Sequence, residues 1–185
     1  MFTLSLTKAA KAFGVPQHKL IHLCERKVVV PDLQDARGRG SSRQFSKRNL
    51  FDFAVALEMR RLELPVSFVR AVLRVLRSFE TEAQSSQRDF VLPDSLVPDS
   101  SPRMTLIILD GENLYFTLSE NENPPVVLGG VDVKHPRARG RARNHKTIGR
   151  PQKVTTREAF KAARMRTEVD LSKIARDLEG LLADS

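Results

Sequence analysis

The chain has 185 residues, with 31 Lys plus Arg against 22 Asp plus Glu, for a formal charge of +9. That length suits one ordinary domain or a small domain with appendages, and 41% apolar residues fill a modest core that does not span the whole chain. A single Cys excludes an internal disulfide framework and a Cys-based zinc site. Nothing reads as a signal peptide or as a bilayer span of roughly 20 apolar residues, so a soluble cytoplasmic protein without membrane contact is expected.

The charge is unevenly distributed. Residues 1–80 carry +8, residues 81–133 carry −7, and residues 134–185 carry +8. Two basic blocks around an acidic one predict separate surfaces, because clustered cations concentrate polyanions by steering and counterion release.

In chain order, helical periodicity starts at Thr7 as N-cap, runs through Ala9, Ala10 and Phe13, and stops at Gly14. Pro16 is placed to open a second helix at its first position, with Leu20, Leu23 and Cys24 on one face. Two short helices around a Gly-containing turn form a helix-turn-helix pattern. Val28-Val29-Val30 before Pro31 reads as a short strand, 32–42 as a polar loop, and Gln44-Phe45 as the return to the core. Ser46 caps a third helix, with Leu50, Phe53, Ala54, Leu57 and Arg61. Pro65 begins a fourth, with Val66, Val69, Val72, Leu73, Leu76 and Phe79 on its apolar face.

Residues 81–103 are polar and punctuated by Pro93, Pro98 and Pro102, which predicts a linker. Residues 104–133 read as a small antiparallel β-meander around Asp110-Gly111, its last strand interrupted at Gly129-Gly130. Residues 134–154 read as a disordered basic arm; from Lys134 to Lys153 there are eight Lys or Arg and no acid. Residues 155–184 read as one long helix, in which Leu171, Ile174, Leu178 and Leu181 form a short coiled-coil-like seam. The expected fold class is therefore mainly α with small β.

The first 80 residues resemble the winged helix-turn-helix domain of the MerR family of bacterial transcription regulators. The resemblance rests on Ala10-Lys11, Gly14-Val15, Leu20, Glu25-Arg26, Val28-Val29-Val30-Pro31, Arg43-Gln44-Phe45 and the corner Leu62-Glu63-Leu64-Pro65. The chain departs from the family at Leu20-Ile21-His22-Leu23, which replaces Leu-Arg-Tyr-Tyr, and at Lys27 and Glu63, where the family carries Gly. The resemblance implies that the second helix enters the major groove of double-stranded DNA in the bacterial nucleoid. Gln17, His18, Lys19, His22 and Arg26 would face bases or phosphates. In the wing, Arg37, Arg39, Ser42 and Arg43 would hold phosphates. Thr7, Lys8, Arg60 and Arg61 are further phosphate candidates, as are Arg137, Arg139, Arg141 and Arg143 of the basic arm. Phe45 and Cys24 read as core residues.

The resemblance also implies a homodimer, joined through the C-terminal helix or the fourth helix near Phe79. RNA polymerase or another protein is a further partner class. The hairpin region reads as a docking or oligomerisation module. Two other functions fit the same features: a DNA-architectural protein with little sequence choice, and a protein-interaction adaptor. No phosphate-binding loop, catalytic carboxylate pair or Ser-His-Asp or Cys-His constellation stands in the chain, so no enzyme activity, cofactor or metal is expected.

Overall fold

A computed structural model describes residues 3–33, 43–86, 88–98, 101, 103–110, 113–119, 126–132, 161 and 163–183. The fold is mainly α with two small antiparallel sheets. The chain groups into two compact units, residues 1–73 with 173–185, and residues 74–172.

In the first unit, β1 (Leu4–Ser5) leads into α1 (Leu6–Ala12), and a turn joins α1 to α2 (Gln17–Glu25). The N-cap of α1 is Ser5 rather than Thr7, its hydroxyl accepting from the Lys8 amide at 3.4 Å. Starting the helix two residues early lets Leu4 and Ser5 also pair with β2 (Gln44–Phe45), Leu4 opposite Phe45. Pro16 stands at the cap of α2 and not inside its first turn. Ser46 caps α3 (Lys47–Arg61) as its position predicts, accepting from the Asn49 amide at 3.2 Å. α3 is buried on most sides, from Leu50, Phe51 and Phe53 to Val55, Ala56 and Met59, as a central helix must be. Its buried Asp52 pairs with Arg48 one turn earlier, so this carboxylate is not buried alone.

Three helices end in the same way. After α1, Gly14 N–H donates to Lys11 C=O at 3.1 Å and Val15 N–H to Ala10 C=O at 3.1 Å. After α2, Lys27 donates to Cys24 at 2.9 Å and Val28 to Leu23 at 2.9 Å; after α3, Glu63 donates to Arg60 at 3.1 Å and Leu64 to Met59 at 3.3 Å. This paired bonding satisfies carbonyls that a helix end otherwise leaves open, and it needs a left-handed residue directly after the cap. Gly14 has φ 60°, Lys27 53° and Glu63 58°. The expected strand at Val28–Val30 is therefore a helix cap. Val28 and Val29 are buried, but their amides donate to Leu23 C=O and not to a neighbouring strand.

A left-handed non-glycine residue is strained by roughly 1–2 kcal/mol, and glycine returns part of that through its larger loss of chain entropy. Glu63→Gly is therefore expected to raise the unfolding free energy by about 0.5–1 kcal/mol. Urea titration checks this; a loss of stability would show that the Glu63 side chain contributes more than its backbone costs.

α4 (Val66–Ser86) follows Pro65 and carries the chain from the first unit into the second. Of its predicted apolar face, Val69, Val72, Leu73, Leu76 and Phe79 are buried. The helix runs to Ser86, into what polarity alone marks as linker, and the segment after it is packed. Leu92, Pro93 and Leu96 are buried around a 3-10 turn at Asp94–Leu96, and the Leu92 amide donates to Glu80 Oε1 at 2.8 Å. Phe79 packs edge-on to Phe90 at 5.9 Å and stacks on Phe116 at 5.6 Å. Phe79 is thus buried among its own chain's side chains.

The meander appears as β3 (Arg103–Leu109), β4 (Asn113–Ser119) and β5 (Val126–Asp132); β5 continues through Gly129-Gly130, but its pairing with β4 shifts register beside Gly129, between Phe116 and Thr117. A fourth strand, β6 (Arg166–Asp170), completes the order β5-β4-β3-β6. It lies where a continuous helix over 155–184 was expected. β3 draws it into the sheet by antiparallel pairing, with Leu106 opposite the buried Val169. Its ends are tied as well. Asp110 Oδ1 accepts from the Arg164 and Met165 amides at 3.0 and 2.9 Å, and the Met104 amide donates to the buried Ser172 Oγ at 2.8 Å. The C-terminal helix is only α5 (Leu171–Ala183). The predicted basic arm lies outside the described residues.

Candidate nucleic-acid interface

α2 presents two chemically distinct faces. Leu20, Leu23 and Cys24 are buried, which fixes the helix on the core. Gln17, His18, Lys19 and His22 are exposed, and Arg26 is exposed at the C-cap. His18 and His22 are one turn apart and share the face opposite the buried side chains. The Lys19 amide closes the first turn by donating to Pro16 C=O at 3.0 Å.

The two legs of the loop after α2 are clasped by residues that composition did not single out. Asn49, fully buried in α3, donates from Nδ2 to Val30 C=O at 3.0 Å and accepts the Asp32 amide at 3.0 Å on Oδ1. The Asp32 carboxylate in turn accepts from the Ser46 amide at 3.3 Å and from the Ser46 hydroxyl. The outgoing leg at Val30–Asp32 and the returning leg at Ser46 are thus bound to one helix start. The only sequence signal was an Asn at N3 behind a Ser cap, a pattern shared with solvent-facing helix starts.

Arg43 lies half-buried just before β2 and is engaged with a neighbour. Arg37, Arg39 and Ser42 fall outside the described residues, as do Arg137, Arg139, Arg141 and Arg143. Phe45 is core and not a base-stacking surface: it is fully buried and meets Phe53 edge-on at 5.1 Å. Thr7 and Lys8 are exposed on the first turn of α1.

At the far end of α2, Arg70 reaches from α4 to donate to the Arg26 carbonyl at 3.4 Å. That guanidinium meets the negative end of the helix, where a cation is favoured. Arg70 was missed in the sequence because it is one of three arginines on α4, and its reach across 44 positions leaves no local pattern.

Arg60 and Arg61 are exposed at the end of α3. Arg61 pairs with Glu58 at 3.2 Å, and Arg60 donates to Leu64 C=O. The structure brings these two arginines together with His18, Lys19 and His22 around one half-open cleft of about 630 Å³. Its remaining wall is α5, which contributes Ile174, Asp177, Leu178 and Leu181. α5 is held to the unit by the buried Ala175 and Leu178 and by an ion pair between Glu179 and Lys47. The apolar seam of the C-terminal helix is therefore spent mostly inside the chain.

No protein-family model matches this sequence, and no curated protein matches it either. Among the described residues, no helix is long and apolar enough to cross a membrane.

Proposed function

We propose that the protein is a sequence-specific, double-stranded DNA-binding transcription regulator of winged helix-turn-helix type, similar to the MerR family. In this reading α2 lies in the major groove, with Gln17 and Lys19 reading base edges and His18 and His22 donating to bases or phosphates. Arg43 and the arginines of the loop before it hold phosphates and set the register. The protein acts as a homodimer on near-palindromic sites.

The observation that supports this most is the division of α2: one face locked in the core by Leu20, Leu23 and Cys24, the other offering five exposed polar or basic side chains. A helix fixed in this way holds its outer side chains in a rigid frame, which base readout requires. The clasp at Asn49, Asp32 and Ser46 supports the wing assignment, because it ties the residues on either side of the arginine-bearing stretch to the start of α3.

Selection from a random duplex pool tests the reading. One enriched, near-palindromic motif is expected. Arg43→Ala should keep that motif while weakening all duplexes alike, with a salt slope lower by about one. Uniform coating without a motif would defeat it. The basic stretch at 134–153 supports a second reading, a DNA-architectural protein. Deleting that stretch should leave a site-specific regulator its motif but remove most binding from a coating protein.

A further inference from the structure

The cleft beside α2 has a composition that duplex recognition does not require. A surface meant only for DNA needs cations and hydrogen-bond donors over an open approach. Here the donors border a concave apolar floor. Phe13, Leu57, Ile174, Leu178 and Leu181 line it, and Leu181 remains 38% exposed although it is a large apolar side chain at the end of a well-packed helix. A volume of about 630 Å³ falls within the range of sites for small organic molecules.

Charge narrows the occupant. Lys19, Arg60 and Arg61 face Glu58 and Asp177 around the cleft, one cation in excess, with the imidazoles of His18 and His22 beside them. Glu58 is already committed to Arg61. The side chains of Lys19, His18 and His22 have no hydrogen-bond or ionic partner among the described residues. A single negative charge therefore finds free donors on the α2 side. A multiply charged phosphate would leave charge uncompensated against Asp177.

We infer that this cleft binds a small organic monoanion, a carboxylate on an aliphatic or aromatic body. Its apolar part lies between Phe13, Leu57 and the α5 leucines, and its carboxylate accepts from Lys19 and the two imidazoles. Because the proposed DNA surface uses the same three side chains, the ligand and duplex compete. The site thus makes the protein a regulator whose release from DNA is driven by an amphipathic acid. The competition rests on the DNA-binding reading; the binding of the acid does not.

Calorimetric titration of the full chain with decanoate, and in parallel with decanol, tests the site without DNA. Decanoate should bind saturably, and decanol at least about tenfold more weakly for want of the charge-assisted contact. Lys19→Gln should bring decanoate close to the decanol level. Leu181→Asp, at a partly exposed position whose folding circular dichroism can verify, should weaken both about tenfold or more. Absence of saturable decanoate binding, equal binding of acid and alcohol, or indifference to Leu181→Asp would overturn the inference. A labelled duplex pool then separates the two readings. Displacement by decanoate is expected, and simultaneous binding would overturn the competition. Decanoate binding by a protein that retains no duplex would defeat the DNA reading alone.

Discussion

Replacing Lys19 by Glu should reduce duplex affinity by roughly two orders of magnitude at moderate salt. A well-placed base contact contributes about 1–3 kcal/mol, and reversing the charge adds repulsion from the phosphates. Lys19 is exposed near the start of α2, so the change should leave folding intact. The two roles open to this side chain give different signatures in fluorescence anisotropy across a salt series. If Lys19 holds a phosphate, Lys19→Ala lowers the salt slope by about one and weakens every duplex equally. If it reads a base, selectivity collapses at one position of the site. Unchanged binding in the Glu variant would remove α2 from the groove.

Phe45→Ala should destabilise the first unit by about 3–5 kcal/mol, the usual range for a fully buried Phe. The ring is inaccessible and sits edge-on to Phe53 at 5.1 Å, in a strand that closes the loop after α2. Such a loss is a large share of the roughly 5–15 kcal/mol that holds a typical domain. Phe45→Leu, which keeps most of the volume, should cost far less and keep DNA binding. Thermal unfolding measures both. A stable Ala variant defective only in DNA binding would instead assign the ring a contact role.

Much of the first unit was legible because its determinants are local. The Ser46 cap, the Gly14 stop and the spacing of Leu20, Leu23 and Cys24 each act within a turn or two, and each stands where the sequence placed it. The Val28-Val29-Val30 run misled because β-branched residues suit both a strand and the apolar position after a helix cap. Only the left-handed Lys27 decides between them, and Lys does not announce that geometry.

Distance in sequence hid the rest. β6 carries Thr167 and Val169 two apart, a weak alternation that helical spacing on its far side outweighed, and its partner β3 lies some sixty residues away. The packed turn at Leu92–Leu96 looked like linker because its apolar residues are few and set among Ser and Asp. In the candidate site, the exposed face of α2 followed from periodicity. Its meeting with Ile174, Asp177, Leu178 and Leu181 did not, because nothing local joins positions more than 150 apart.

That meeting has a consequence for how the polypeptide matures. Residues 1–73 share a compact unit with residues 173–185, and in sequence all of residues 74–172 come between the two segments. During synthesis the amino-terminal helices leave the ribosome about a hundred codons before the segment that covers their flank. Until then Leu23 and Leu57 lack the leucines that line the same cleft in the finished protein. Nascent chains paused in that interval should be open to chaperone capture, and the cleft beside α2 acquires its last wall only near the end of translation.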